Sequence, residues 1–396
     1  PQCPGALVNA LGDDDRSVRE AVARSLGTFG ADALDATMKA LDDPKLEAGA
    51  ILSLAHLPAE SQADIIRDHA GERIKQALSY HDLWQRLQGW AREDDAAQLL
   101  ADSVKHVAER YGIRALRLLG TLADREAFDA AIASLGSSDQ GQGANAVELL
   151  DSVSDRQMVR PLLRLWEPGI DSARVDHVGP LRESLRDDDP WLRACAALAA
   201  RGVNDEEIAS ALTALSHDDP DETVRDAASN ALNGDKPMQK LDTLSVMERI
   251  LFLKRVPLFA DLAPTELKQV ASITYERLFH DGEVLAEQGE PGDELYIIVS
   301  GEVRVLFKSG DEHAVELARR SKPGECVGEM AIISRLPRAA TLIAAGDVRT
   351  LCIGQKQFEV ILRERPETSL AVMRVLCERL QERGSGKRVT PSSQSV

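Results

Sequence analysis

At 396 residues, with 43% hydrophobic content and a formal net charge of −18, the chain is long enough for two or three domains with sizeable cores. The charge is divided unevenly: residues 240–396 hold 22 Lys+Arg against 23 Asp+Glu, so the first 239 residues carry −17, a balance that repels nucleic acid and anionic membrane surfaces. No run reaches the roughly 18 apolar residues of a membrane helix, and Cys3, Cys195, Cys326, Cys352 and Cys377 lie far apart with no C-x-x-C, which reads as small buried residues in a reducing compartment.

The eight histidines form no H-E-x-x-H or paired pattern, so no metal ligand is expected. The chain opens at Pro1-Gln2-Cys3 without an initiator Met, and a piece of a longer protein or a processed product is expected.

From Pro1 to about Leu232 the pattern is helical, rich in Ala and Leu. It repeats. Leu11-Gly12-Asp13-Asp14-Asp15-Arg16-Ser17-Val18-Arg19 lies without a gap over Leu185-Arg186-Asp187-Asp188-Asp189-Pro190-Trp191-Leu192-Arg193, and Asp218-Asp219-Pro220 with Val224-Arg225 gives a third copy. The unit is a helix, an Asp-rich turn that caps the next helix, and an apolar face on that second helix, with Asp and Arg placed to pair within or between repeats as a ladder. It resembles HEAT-type repeats. Leu135 to Leu150 reads as a further copy, with Gly136, Gly141 and Gly143 at its turn, and five or six repeats are expected in all. Between His81 and Ala123 longer helices are expected, with Trp84 and Trp90 filling the stack.

Asn233-Gly234-Asp235-Lys236-Pro237 stops the last of these helices. A short helix from Leu244 to Lys254 and another from Pro264 to Tyr275 follow. From Leu278 the period changes to alternation: Glu283 to Leu285, Leu295 to Val299, Val303 to Phe307 and Val348 to Ile353 read as strands, with Gly289, Gly292 and Gly301 at tight turns. A compact antiparallel β-roll is expected, its mouth holding a ligand.

The run Gly324 to Ala344 carries the chemistry. Gly328 lets backbone approach a ligand, and Glu329-Met330-Ala331-Ile332-Ile333 begins a short helix whose free N–H groups attract an anion. Arg338, held extended after Pro337, offers a planar fork suited to phosphate, and the small Ala339 and Ala340 let N–H groups close in beside it. Glu329 suits a sugar hydroxyl. One anion and one sugar without metal ligands suggest a ribose whose phosphate carries a single charge.

Gly328-Glu329-Met330-Ala331 and Pro337-Arg338-Ala339-Ala340-Thr341, with the spacing between them, resemble the phosphate-binding cassette of cyclic nucleotide-binding domains. The resemblance implies that Arg338 neutralises a cyclic phosphate, that the N–H groups of Ala331, Ala339 and Ala340 help hold it, and that Glu329 accepts from the ribose 2′-hydroxyl. Two alternatives stay open: Glu329 and Arg338 as a structural ion pair, and a domain that keeps the cassette shape without binding. In the family a Thr or Ser near the Arg favours guanine; Ala339 and Ala340 stand there, so cAMP is expected before cGMP, with no other cofactor.

Gln357 to Arg365 and Glu367 to Glu382 read as amphipathic helices, the second with Leu370, Met373, Leu376, Cys377 and Leu380 on one stripe and Met373, Arg374 or Cys377 as candidates to cap the base. The tail from Gly384 is Ser/Gly/Lys-rich, and its Gly-Ser-Gly-Lys lacks P-loop spacing. About fourteen residues after the last helix are too few for a helix-turn-helix, and no nucleophile-base pair or metal set marks an enzyme.

The fold class expected is multidomain: an all-α HEAT-like solenoid at 1–235, a linker helix at 236–255, an antiparallel β-roll with flanking helices of the cyclic nucleotide-binding type at 256–383 and a disordered tail at 384–396. The function expected is a non-enzymatic, cytoplasmic cAMP-sensing regulator, the rival being a protein-interaction scaffold with a vestigial nucleotide domain. Repeats followed by this domain also resemble the soluble C-terminal region of bacterial ATP/ADP-translocase-like transporters, which implies a partner or attached transport domain.

Overall fold

The computed structural model describes residues 7–57 (other than 14, 42 and 44), 63–135 (other than 124), 146, 150, 156–166, 177–233, 244–364 (other than 261, 309–313, 330, 331 and 333–335) and 373. The chain divides into two compact units, Pro1–Pro180 and Leu181–Val396. Among the described residues no helix is long and apolar enough to cross a membrane.

The first unit is helical: α1 (Arg16–Gly27), α2 (Ala31–Ala40), α3 (Glu47–Leu54), α4 (Ala63–Ala91), α5 (Asp95–Gly120), α6 (Arg125–Leu135) and α7 (Arg156–Leu163). Helices α4 and α5 run 29 and 26 residues; longer helices are expected between His81 and Ala123, and α4 starts well ahead of that stretch, at Ala63. Trp84 is buried, while Trp90 is half-buried and stacks on His177 with ring centroids 4.8 Å apart. Glu47, the first residue of α3, is buried and ties three helices: Arg73 of α4 donates Nε to its Oε1 at 2.5 Å, and Arg114 of α5 donates to Oε2. Two guanidiniums on one carboxylate leave no uncompensated buried anion. Of the repeat expected over Leu135 to Leu150, the interior lies outside the described residues except for Ala146, which is buried with Leu135 and Leu150.

The second unit opens within α8 (Val178–Ser184), from Leu181 on, and continues with α9 (Pro190–Ala199), α10 (Glu206–Asp218) and α11 (Glu222–Asn233). Its repeat chemistry explains the Asp-rich turns. Asp187 Oδ1 accepts the amide of Asp189 at 2.8 Å, and Asp189 caps α9 by accepting the amide of Trp191 at 2.9 Å. Asp219 and Asp221 do the same before α11 at 2.9 and 2.8 Å, and in the first unit Asp13 and Asp15 do so before α1 at 2.9 and 2.8 Å. Six residues after the leading Asp an Arg returns to that residue's carbonyl: Arg19 to Asp13 at 2.6 Å, Arg193 to Asp187 at 2.8 Å and Arg225 to Asp219 at 2.6 Å. Arg193 also reaches the next repeat, gripping the Asp219 carboxylate. Arg225 makes the carbonyl contacts to Asp219 and Pro220, but among the described residues no carboxylate takes its other N–H groups.

Helices α12 (Val246–Lys254) and α13 (Pro264–Ile273) lead into the roll. A reciprocal cap starts α12, Ser245 N donating to Glu248 Oε2 at 2.9 Å and Glu248 N to Ser245 Oγ at 3.3 Å. These helices pack on the repeats: Arg201 Nη2 lies 3.7 Å from Glu248 Oε1, and Lys268 Nζ lies 5.3 Å from the Trp191 ring centroid. That packing places α9 to α11 in one compact unit with the roll. Arg349 donates Nε and Nη2 to Glu276 Oε2 at 2.9 and 2.7 Å, and Glu276 Oε1 accepts the amide of Leu244 ahead of α12.

The roll is antiparallel throughout: β1 (Tyr275–Phe279), β2 (Val284–Ala286), β3 (Glu294–Phe307), β4 (Val315–Arg320), β5 (Cys326–Val327) and β6 (Thr341–Gly354) in the order β1-β6-β3-β4, with β2 on β6 and β5 on β3, followed by α14 (Gln355–Glu364). The two stretches Leu295 to Val299 and Val303 to Phe307 are one strand whose register shifts around Ser300 to Glu302. Gly301 sits there at φ +92°, and a Cβ would strike the Asp347 carbonyl. Strand β1 begins at Tyr275, so α13 stops two residues short of the predicted end. Strands β1, β4 and β5 escape prediction: β1 starts where the preceding helix is expected to end, β4 is exposed on one face and only half-buried over part of the other, and β5 is two residues long. Phe279, Tyr296, Ile298, Val303, Val327, Val348 and Cys352 form the interior. The final helix predicted from Glu367 lies outside the described residues except Met373, whose side chain is 52% exposed.

Candidate functional site

The site is assembled where β5 runs out. Tyr296 and Ile297 of β3 pair with Val327 and Cys326, and the chain then turns at Gly328 with φ +86°, a left-handed conformation that costs any side chain energy. Glycine is required for space as well, since a Cβ would fall on Arg338 Nη1 and 3.2 Å from the Glu294 carbonyl. Glu329 follows, helical and only 2% exposed.

Arg338 arrives from the other side of the cassette. Its backbone is fixed by a two-way exchange with the β2–β3 turn: Arg338 N donates to Glu290 O at 2.7 Å, and Gly289 N to Arg338 O at 2.9 Å. Its side chain is 5% exposed. Nη1 donates to Gly328 O at 3.0 Å, Nη2 to Glu294 O at 2.8 Å, and Cζ lies 5.6 Å from the Tyr296 ring centroid. No carboxylate pairs with this guanidinium among the described residues, so Glu329 and Arg338 are not a structural ion pair. Two of the five guanidinium donors are engaged by neutral carbonyls. A buried cation held only by neutral acceptors retains its full attraction for an anion.

Of the residues the sequence singles out, Gly328 and Arg338 are brought into contact, and Glu329 is buried next to Gly328 in the chain. Ala339 is exposed and Ala340 half-buried, and the neighbouring Thr341 Oγ1 accepts the amide of Gln288 at 3.1 Å. Met330 and Ala331 lie outside the described residues, as do Arg374 and Cys377. Among the described residues no three metal-ligating side chains come together.

Sequence reasoning missed Glu294 and Tyr296. Glu294 is surrounded by donors: Tyr275 Oη to Oε1, Tyr296 Oη to Oε2 at 2.8 Å and Arg277 Nη1 to Oε2 at 2.8 Å. Burial works to raise its pKa, but the two phenols and the guanidinium outweigh it and hold the carboxyl below the usual range. Burial first, and then this carboxylate, push the Tyr275 and Tyr296 phenols up. Their alternation with Ile298 at the start of β3 was the available signal.

Residues 276–365 match the family model of the cyclic nucleotide-binding domain, and residues 169–233 that of HEAT repeats. A cAMP-dependent protein kinase regulatory subunit of Hypocrea atroviridis is 33% identical over 111 residues, which are 28% of this chain and 23% of that protein. Among solved structures, the regulatory domain of a Toxoplasma gondii PKA with cAMP aligns at 27% identity over 33% of this chain and 49% of that one, with a TM-score of 0.31. The regulatory subunit of a cAMP-independent protein kinase A from Trypanosoma brucei aligns at 27% identity over 35% and 49%, with a TM-score of 0.30. The chain thus spans about a quarter to a half of the length of these relatives. It is a helical region with HEAT repeats followed by an antiparallel sheet and flanking helices of the cyclic nucleotide-binding fold.

Proposed function

We propose that the roll binds a cyclic nucleotide, cAMP in preference to cGMP, and that the chain is a non-catalytic regulatory module. The observation that carries this is the buried guanidinium of Arg338, bedded on Gly328 and Tyr296 and held by two neutral carbonyls, with no carboxylate of its own among the described residues. Such an arrangement favours an anion, and a phosphate monoanion matches the planar fork. Glu329 is assigned to the ribose 2′-hydroxyl, and the N–H groups of Ala331, Ala339 and Ala340 to the phosphate. Ala339 and Ala340 carry no hydroxyl for a guanine edge, which is the reason for placing cAMP first.

The repeats are the output surface, because α9 and Arg201 just after it pack on the helices that enter the sheet. The regulated partner is proposed to be a membrane transport domain, on the same chain or bound to it, at the cytoplasmic face. Titration of the chain with cAMP and cGMP by calorimetry, alongside melting, tests the binding: a ligand that binds only the folded form raises the melting temperature. No heat and no shift with either nucleotide leaves a scaffold instead. The parent reading frame tests the same-chain form of the transport assignment, and a short N-terminal extension without membrane helices would refute that form.

A further inference from the structure

We propose that Glu294 is a positioning residue for Arg338, setting the direction of its fork through a knot of side chains that crosses the sheet. This rests on the nucleotide-binding reading above. Tyr275 of β1 and Tyr296 of β3 both lie opposite Cys352 of the intervening β6, so the two phenols stand on one face with Cys352 between them. Glu294 is two residues before Tyr296 and shares that face. Its carboxylate takes Tyr275 on one oxygen and Tyr296 and Arg277 on the other, and so spans β6 to join β1 to β3.

The two residues tied at the β3 end are two of the three that hold the Arg338 guanidinium, Gly328 being the third. Glu294 gives its carbonyl to Nη2, and Tyr296 gives its ring face to the guanidinium. A guanidinium on neutral acceptors has little else to fix its plane, so a shift of either residue re-aims the fork. The Tyr296 hydroxyl lies 2.8 Å from both Glu294 Oε2 and the Leu285 carbonyl, yet has a single proton to donate. The charged carboxylate is the stronger acceptor, and a neutral amide in its place would release Tyr296 toward Leu285. Glu294 thereby acts on the anion site without touching the ligand through its side chain.

Calorimetry with cAMP on the whole chain, as wild type, E294Q, R338K, Y275F and the double variants E294Q/R338K and Y275F/R338K, tests this, with melting as the control for folding. E294Q is expected to weaken binding about tenfold, the weight of one charge-assisted contact, and Y275F by a few-fold. In the presence of R338K both losses should shrink to near nothing, because the fork being aimed is gone; a merely structural role would give the same loss in both backgrounds. Wild-type affinity in E294Q, or an undiminished loss alongside R338K, overturns the positioning role alone. Wild-type chain that binds neither cAMP nor cGMP overturns the nucleotide reading itself. Should E294Q not fold, Y275F at the exposed end of the knot decides by the same comparison.

Discussion

Arg193 and Asp219 join consecutive repeats by a two-point contact, Nε 2.7 Å from Oδ2 and Nη2 3.0 Å from Oδ1, with the Asp219 side chain only 3% exposed. Burial raises the carboxyl's pKa, but the donors around it, Arg193 foremost, outweigh that and hold it below the ordinary value. Arg193→Ala leaves the carboxylate buried without its main partner and is expected to cost about 3 kcal/mol, read by denaturant unfolding. A pKa lowered on folding means the contribution is complete above the ordinary carboxylate range and is lost as pH falls through the folded value. Asp219→Asn should therefore flatten the acid limb of a stability-against-pH curve.

Arg338 separates charge from shape. Arg338→Ala is expected to abolish micromolar cAMP binding, a loss of about 3–5 kcal/mol. Arg338→Lys keeps the charge but not the fork, and should retain weak, measurable binding. Unchanged affinity in either variant removes the phosphate assignment.

Gly328 is constrained twice, by φ +86° and by the guanidinium in the space a Cβ would fill. Gly328→Ala is expected to destabilise the roll by about 1–2 kcal/mol and to weaken cAMP at least as much as Arg338→Lys. Comparing melting with calorimetry on the same sample separates the two effects, and full affinity in a folded variant would contradict the geometry.

Two ion pairs on the path from sheet to repeats should differ sharply in weight. Glu276 and Arg349 are 13% and 11% exposed and bonded twice, so Glu276→Ala is expected to cost about 3 kcal/mol. Arg201 and Glu248 are 3.7 Å apart and about a third exposed, so Arg201→Ala should cost no more than ~0.5 kcal/mol. Equal costs in denaturant unfolding would refute this ranking.

The thiols of Cys195, Cys326 and Cys352 are buried. Burial pushes Cys352 up to about 11, so it holds almost no thiolate at neutral pH. A thiol reagent at pH 8 is expected to leave these three unlabelled until the chain is unfolded, as read by peptide mass mapping.

Much of this was legible because the signals were local. The cassette pairs a glycine with an arginine at fixed spacing, and the Asp-rich turns repeat with their Arg at a constant offset, so Gly328, Glu329, Arg338 and the Asp–Arg ladder could be read directly. What escaped depends on pairing at a distance. Glu294 sits at a strand start like any surface acid until the register sets it beside Tyr275 and Arg277, on a strand that is not even adjacent. Glu47 likewise acquires its role only when α4 and α5 bring Arg73 and Arg114 to it. Strand β4, carrying Arg319 and Arg320 on an exposed edge, lacks the alternation that sequence reading requires.

Among the described residues, Arg225 stands at the last rung of the ladder. Arg225 repeats the carbonyl contacts of Arg193, yet among the described residues no further Asp receives it. A helical pair inserted after Asn233 and bringing its own leading Asp would find a guanidinium already in position. The length of the stack is therefore a variable that insertion or deletion can change in whole units, leaving the chemistry of the joints intact.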